Sequence, residues 1–339
     1  MFGFKNVVPF VKKTSSSVDT RSLKRALVLL NPHSRNGGGD GLCKALEVLR
    51  AANIHLLRVE TRDPEHLISQ IYQHRGRVNQ VIVAGGDGTI SAAAKAVYDL
   101  GLPLGILPMG TANDFARSLG IPADPVAAAD IIAQGQTRRI NLGSVNGHYF
   151  FNVANIGLGP EVTHHLTGDL KKRWGVMSYA AALVEALRRK RSFAVSINVD
   201  GKRFATRSLQ LAIGNGRFYG GGNVVDESST IADGKLALYC IKSAKIINLL
   251  VLLPLWRLGL WRHGGERVIV ESGKTISIDT RKPKEVHADG EAVCYTPAEF
   301  RVIEKAIEVY ASQIVGEKSK PAHACEQEQK IANYETPTV

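Results

Sequence analysis

The sequence predicts an α/β lobe followed by a second, β-rich domain of sandwich type, and three observations predict it. The first half repeats a short β-branched or leucine-rich run, a glycine-rich polar loop and a helical pattern, which is the signature of α/β winding. From about Arg138 the pattern changes to short alternating runs of strand character. The 339 residues correspond to about two domains at roughly 150 residues each.

Residues 1–22 are polar and basic around one apolar stretch, Val7–Val11, which is too short for a signal-peptide core and reads as part of a loose tail. The α/β lobe is expected over residues 23–137. Arg25–Leu30 reads as a buried strand, Asn31–Gly41 as its loop, and Leu42–Ala52 as a helix with Leu42, Leu46 and Leu49 on one side. Val78–Ala84 is the next strand. It runs into Gly85-Gly86-Asp87-Gly88-Thr89 and an alanine-rich helix over Ile90–Leu100. The third unit has strand Leu104–Leu107, loop Pro108–Thr111 and a helix beginning near Asn113, a residue type that caps helices well.

The β-rich domain is expected over residues 138–297. Its strand runs are Asn141–Val145, His148–Ile156, Phe193–Val199, Ser208–Ile213, Leu236–Ile241, Val268–Ser272 and Thr275–Asp279, with a hairpin-like turn at Asp200-Gly201. One basic helix, Leu170–Arg191, interrupts them, with Trp174, Met177, Ala181 and Val184 at helical spacing. Pro297–Val309 again reads as helical, and residues 298–314 are expected to pack back on the first lobe. Residues 315–339 are polar and lack periodicity, which predicts disorder.

Composition narrows the function. With 44% hydrophobic and 22% charged residues the chain is neither a disordered polymer nor a polytopic membrane protein. The longest apolar run, Ile246–Trp256, is interrupted by Asn248 and Pro254 and falls well short of the roughly 20 residues that span a bilayer. A net charge of +12 implies attraction to polyanions: nucleic acid, nucleotides or anionic lipid. Cys43, Cys240, Cys294 and Cys325 lie far apart in no zinc or redox spacing, so a reducing cytoplasm is the expected compartment.

Three polar loops follow three strands, and in open parallel sheets ligands bind where such loops converge. Glycines at 85, 86 and 88 expose backbone N–H groups to phosphate oxygens, and the helix that follows adds its dipole. Asp87 beside phosphates is repulsive unless it holds Mg²⁺, a Mg²⁺-bound water or a sugar hydroxyl. An ordinary strand-to-helix turn is the plainer alternative. Neither a Walker A motif nor a dinucleotide G-x-G-x-x-G occurs, which argues against P-loop NTPases and ordinary Rossmann dehydrogenases. Asn31-Pro32-His33-Ser34-Arg35-Asn36-Gly37-Gly38-Gly39 is a weaker phosphate signal. Pro108–Arg117 is denser, gathering Thr111, Asn113, Asp114 and Arg117 around one helix start; a simple capping turn accounts for Asn113 but not for Asp114 and Arg117.

Gly85–Thr89 together with Gly-Thr-Ala-Asn-Asp-Phe-Ala-Arg at 110–117 resembles the diacylglycerol kinase catalytic domain superfamily, which includes soluble bacterial lipid kinases and sphingosine kinases. NAD kinases and phosphofructokinases share the first motif; the second favours lipid kinases. The resemblance continues through Asn155-Ile156-Gly157-Leu158-Gly159, Gly214-Asn215-Gly216, Gly220–Gly222, Ala232-Asp233-Gly234 and His287-Ala288-Asp289-Gly290-Glu291, and covers roughly residues 25–312.

The resemblance implies a first lobe of NAD kinase and phosphofructokinase type. It implies that ATP is held by the Asn31 loop, Thr61, Gly85, Gly86, Asp87, Gly88, Thr89, Gly110, Thr111 and Asn113. It implies Glu291 as general base toward a lipid hydroxyl, with Asp289 orienting it or a metal network, and Asp87 and Asp114 as further catalytic carboxylates. A structural Mg²⁺ beside an Asp-Gly turn maps to Asp233, with Thr230 and Lys235 offering carbonyls; the lysine departs from an apolar neighbour in some relatives. Arg35 likewise stands where a common form of the first loop has glycine.

Two segments bear on membranes. Lys171, Lys172, Arg173, Arg188, Arg189, Lys190 and Arg191 face only Glu185 as a counter-charge within their helix, which attracts anionic headgroups. Ile246–Trp261 is apolar, with Trp256 and Trp261 near Arg257 and Arg262, the composition of an interfacial segment or of a core helix with solvated ends. His164 and His165 are adjacent, and no H-E-x-x-H occurs, which argues against zinc catalysis.

The expectation is an ATP- and Mg²⁺-dependent lipid kinase, cytoplasmic and peripherally held at an anionic membrane surface. Its substrate is a membrane lipid, and the residues leave the oligomeric state open. The alternatives are a kinase for a soluble acceptor such as NAD and a non-catalytic nucleotide- or lipid-binding protein. No aromatic-interleaved basic platform accompanies the charge, so no nucleic acid partner is expected.

Overall fold

The structure is a computed structural model that describes residues 24–32, 34, 39–157, 192–215, 218–219, 223–224, 234–242 and 268–312. The basic stretch Leu170–Arg191, the apolar segment Ile246–Trp261, His164 and His165, both predicted tails, and Thr230 and Asp233 lie outside the described residues.

The first lobe runs β1 (Lys24–Leu30), α1 (Asp40–Ala51), β2 (Ile54–Glu60), α2 (Pro64–Gln73), β3 (Gln80–Gly85), α3 (Asp87–Leu100), β4 (Leu104–Pro108), α4 (Asp114–Ser118) and α5 (Pro125–Gln134). Its strands are parallel, in the order β2-β1-β3-β4. Near-continuous apolar runs in β1, β3 and β4 suit strands covered on both faces, and those strands are almost wholly buried. α2 and α5 were not singled out by periodicity. Each begins with an aspartate cap and a proline in its first turn: Asp63 accepts from the His66 N–H at 2.6 Å, and Asp124 from the Ala127 N–H at 3.0 Å.

The β-rich half contains β5 (Thr137–Val145), β6 (His148–Phe150), β7 (Val153–Gly157), β8 (Phe193–Val199), β9 (Lys202–Gly214), the short pair β10 (Phe218–Tyr219) and β11 (Asn223–Val224), β12 (Leu236–Lys242), β13 (Val268–Gly273), β14 (Thr275–Thr280), β15 (Glu285–Ala288), β16 (Glu291–Tyr295) and β17 (Ala298–Tyr310). Its main ladder is antiparallel, in the order β16-β15-β7-β9-β8-β14-β17, with β12 also on β9 and β13 on β12. The α/β lobe and the β-rich half therefore stand as the sequence predicts.

The last segment does not. Residues expected as a helix over Pro297–Val309 form strand β17, which pairs with β14 and β5 and then, at Val309, runs parallel to Leu104 of β4. A bulge between Ile303 and Ile307, with Lys305 at φ 50°, shifts the inward phase of the strand partway along. Phe300 before the bulge and Ile307 and Val309 after it are all buried, and that phase slip is what imitates a helical period in the sequence. The stretch His148–Ile156, expected as one run, is likewise split into β6 and β7 by Phe151 and Asn152.

Among the described residues two large apolar cores result, beside a small cluster around Tyr239. One surrounds β1, β3 and β4 and takes Ile307, Val309 and Tyr310 from β17; the other lies inside the β-rich half around Phe150, Ile156, Leu211 and Phe300. The break between β6 and β7 sends consecutive side chains to different cores. Phe150 enters the second, while Phe151 enters the first and stacks on Phe115 of α4 at 4.2 Å between ring centroids. Each fully buried phenylalanine contributes about 2 kcal/mol.

Candidate active site

The ends of β1, β3 and β4 converge because their loops are bonded to one another. Asn31, just past β1, donates its N–H to the Ala84 carbonyl at 3.1 Å. Its side-chain amide donates to the Thr89 hydroxyl in the first turn of α3 at 2.9 Å. The Met109 N–H donates to the Gly85 carbonyl at 2.9 Å, joining the ends of β3 and β4.

The glycines are there for close approach. A Cβ added to Gly110 would stand 2.6 Å from the Gly86 Cα and 2.8 Å from the Asn113 Oδ1, so the Gly86 backbone and the Asn113 amide occupy the space a side chain would need. A Cβ on Gly88 meets nothing within 4 Å, which leaves that side of the loop open for a ligand. The first N–H groups of α3 have no partner within the helix, as at any helix start, and groups of this kind can bind an anion.

Asn113 precedes α4 with φ 50° but does not cap it. Its Oδ1 accepts the Gly110 N–H at 2.9 Å and its Nδ2 donates to the Gly110 carbonyl, closing the loop on itself. Asp87 Oδ1 accepts the Phe115 N–H at 3.0 Å, which fastens the Gly85 loop to the start of α4. Asp114 is buried, and its carboxylate lies 3.6 Å from the Arg117 guanidinium. Thr111 is exposed on the same loop. Thr61 is turned inward: both its N–H, at 2.8 Å, and its hydroxyl, at 3.1 Å, donate to the Leu30 carbonyl, which pins the end of β2 to the end of β1.

From the β-rich half, β15 and β16 are joined by a two-residue turn, Asp289 (φ 47°) and Gly290 (φ 97°). This pair of left-handed residues is the one a tight hairpin requires. Glu291 is exposed immediately after the turn. The Asp289 carboxylate collects four donors: the Ser91 hydroxyl and the Phe151 N–H, each 2.7 Å from Oδ2, and the Asn152 and Val153 N–H groups, each 3.0 Å from Oδ1. Its own N–H donates to the Val153 carbonyl at 2.9 Å. Burial pushes the Asp289 carboxyl above its ordinary pKa, while Ser91 and the three backbone donors oppose that shift. With its oxygens occupied in this way, Asp289 acts as a positioning residue for the turn.

Ser91 was not singled out from the sequence, yet its bond to Asp289 is what links the hairpin to the glycine loop. It lies four residues after Asp87 on α3, and helical spacing from that carboxylate is the signal that points to it. Asn215 is a second such residue. Its amide donates to the Asn141 carbonyl at 3.1 Å and the Phe151 carbonyl at 3.0 Å, holding the end of β9 against β5 and the β6–β7 break. Lys235 is exposed just before β12. Among the described residues no three His, Cys, Asp or Glu side chains cluster as a metal site, and no helix is long and apolar enough to cross a membrane.

Comparison with known proteins agrees with this arrangement. Residues 25–145 match the diacylglycerol kinase catalytic domain, and residues 153–311 match the YegS C-terminal NAD kinase beta sandwich-like domain. The chain is 32% identical to a diacylglycerol kinase of Mycobacterium tuberculosis over 298 residues, covering 84% of this chain and 94% of that protein. It is 32% identical to a diacylglycerol kinase of Bacillus subtilis over 224 residues, covering 65% of this chain and 73% of that one. A crystal structure from Bacillus anthracis, provisionally assigned as a diacylglycerol kinase, superposes with a TM-score of 0.73 at 26% identity, covering 88% of this chain and 98% of that one. The catalytic-domain match implies ATP as phosphoryl donor. The α/β lobe followed by a β-rich domain thus has counterparts among known proteins, and the chain belongs to the diacylglycerol kinase family of lipid kinases, phosphotransferases with an alcohol group as acceptor.

Proposed function

We propose that this chain transfers the γ-phosphoryl group of ATP to a hydroxyl of a membrane lipid such as diacylglycerol, with Glu291 as the general base. The observation that carries this reading is the 2.7 Å bond from Ser91 to Asp289, which couples the Glu291 turn to the helix that opens on the phosphate loop. The phosphates lie against the N–H groups of the Gly85–Thr89 loop, with the Asn31 loop, Gly110, Thr111 and Asn113 shaping its rim. The Glu291 carboxylate takes the proton of the lipid hydroxyl as that oxygen bonds to the γ-phosphorus; the bond to the β–γ bridging oxygen breaks, and ADP leaves.

The donor set also fits Mg²⁺ carried with ATP, because Phe115 holds Asp87 Oδ1 and no hydrogen bond to Oδ2 occurs among the described residues. Bound there, directly or through water, the ion would neutralise charge on the transferring group. Asp114 supports the reading from behind the loop, buried against Arg117. Asp233 with the Thr230 and Lys235 carbonyls is the proposed separate Mg²⁺ site. The basic stretch Lys171–Arg191 would hold the enzyme at an anionic, cytoplasm-facing leaflet, so turnover on vesicles should fall as salt rises.

The test is transfer of ³²P from γ-labelled ATP into a panel of lipids in mixed micelles, with NAD as soluble control. Wild type should label a lipid. Glu291→Gln should lower kcat by about 10²- to 10⁴-fold with ATP binding retained. Label confined to NAD, or unchanged turnover in Glu291→Gln, would overturn the proposal.

A further inference from the structure

Beside the Asp289 turn the sheet presents a row of directly paired residues. His287 of β15 lies opposite Asn155 of β7, Asn155 opposite Ala212 of β9, Ala212 opposite Tyr239 of β12, and Tyr239 opposite Val270 of β13. Paired residues share a face, with Cβ atoms about 4.5–5.5 Å apart. The row is polar at the end near the hairpin and apolar beyond it: Ala212 and Tyr239 are buried in a small separate cluster with Val153 and Ala237, and Val270 packs against it.

The polar end is incomplete. His287 Nε2 lies 2.9 Å from Glu285 Oε2, and because an ionised carboxylate can only accept, the ring proton sits on Nε2. In the neutral ring this leaves Nδ1 an acceptor. That atom is buried and makes no hydrogen bond among the described residues, and neither does the buried Oδ1 of Asn155 on the residue opposite. Two acceptors on directly paired residues therefore lack a donor among the described residues; buried side-chain atoms of Gln80, Asn141, Asn152 and Asn215 are also unpaired there, but only these two lie on opposite residues beside the Asp289 turn.

We propose that His287 and Asn155 read a second hydrogen-bond donor on the acceptor lipid, a hydroxyl or an ammonium group, besides the hydroxyl that is phosphorylated. This rests on the lipid kinase reading above. His287 precedes Asp289 by two residues, and Asn155 follows Val153 by two, so the acceptor pair lies one strand repeat, about 7 Å, from the turn that carries Glu291. A diacylglycerol has one hydroxyl and otherwise only acceptors. A monoacylglycerol, a phosphatidylglycerol headgroup or a long-chain amino alcohol offers the second donor. A site whose buried groups await a donor discriminates strongly against a substrate that lacks one.

The experiment compares kcat/KM for dioleoylglycerol, 1-monooleoylglycerol, phosphatidylglycerol and a long-chain amino alcohol in mixed micelles, for wild type, His287→Leu, Asn155→Leu and His287→Asn. Wild type should favour at least one two-donor lipid over dioleoylglycerol by about tenfold or more. Preference for the amino alcohol would identify an ammonium, and preference for the other two a hydroxyl. Each leucine variant should lower that ratio by about three- to tenfold through the two-donor lipid, while His287→Asn, which returns an acceptor near the Nδ1 position, should retain it. A wild type that uses dioleoylglycerol as well as the others, or a ratio that the leucine variants leave unmoved or that His287→Asn loses equally, overturns the inference and leaves the kinase reading standing. Absence of label in every lipid sinks the kinase reading itself, and the inference with it.

Discussion

The two halves of the active site are shaped by opposite means. On the α/β side the geometry comes from missing side chains: Gly86 and Gly110 bring two loops together because neither has a Cβ. On the β side it comes from one side chain, Asp289, whose carboxylate draws in a hydroxyl and three N–H groups from α3 and the β6–β7 break. The first half depends on the close approach of backbone to backbone, the second on hydrogen bonds gathered by one carboxylate. The contrast teaches that phosphate binding and base placement should fail separately, one by crowding and the other by loss of hydrogen bonds.

The largest effect is expected at the carboxylate. Asp289→Ala leaves four donors without their partner and should cost about 3 kcal/mol or more, read as a lower urea midpoint, with kcat falling and ATP affinity little changed. An ATP affinity that falls as steeply as kcat would break the separation. Gly110→Ala is next. Its Cβ meets the Gly86 backbone and the hydrogen-bonded Asn113 amide, so a cost of about 1–3 kcal/mol and an ATP KM raised about tenfold are expected, with lipid KM unchanged. Ser91→Ala is the mildest. It removes one donor of four, costs about 1 kcal/mol, and should lower kcat several-fold at constant ATP KM. That small change sharpens the comparison most, because Ser91 sits on the ATP side yet should behave as part of the base side.

Much of this was legible in the sequence. Continuous apolar runs located β1, β3 and β4, and the loops at Gly85 and Gly110 follow their strands where expected. What escaped was written in a different signal. β2 alternates at a sheet edge; α2 and α5 are marked by Asp-Pro starts at 63–64 and 124–125, α2 with only Leu67 and Ile71 buried and α5 with a weak apolar stripe. β17 escaped because the bulge after Ile303 changes which residues face inward, and periodicity cannot distinguish a phase slip from a helix. In the site, the glycines and carboxylates were visible as types in a motif. Ser91 and Asn215 were not, since their importance lies in partners 198 and 64–74 residues away along the chain. The inward turn of Thr61 was equally invisible, because nothing in a short polar segment says which way a hydroxyl points.

The pairing of β17 with β4 also sets an order of events during synthesis. β4 ends at Pro108, and the strand that covers its open edge does not begin until Ala298. At roughly 5–20 residues per second, the intervening chain takes about ten to forty seconds to emerge. Throughout that interval the nascent α/β lobe carries an uncovered sheet edge and a core still missing Ile307, Val309 and Tyr310. The ribosome thus releases the first lobe finished only when nearly all of the β-rich half has followed it, so that a chain interrupted before residue 298 exposes a strand edge for chaperones and proteases to find.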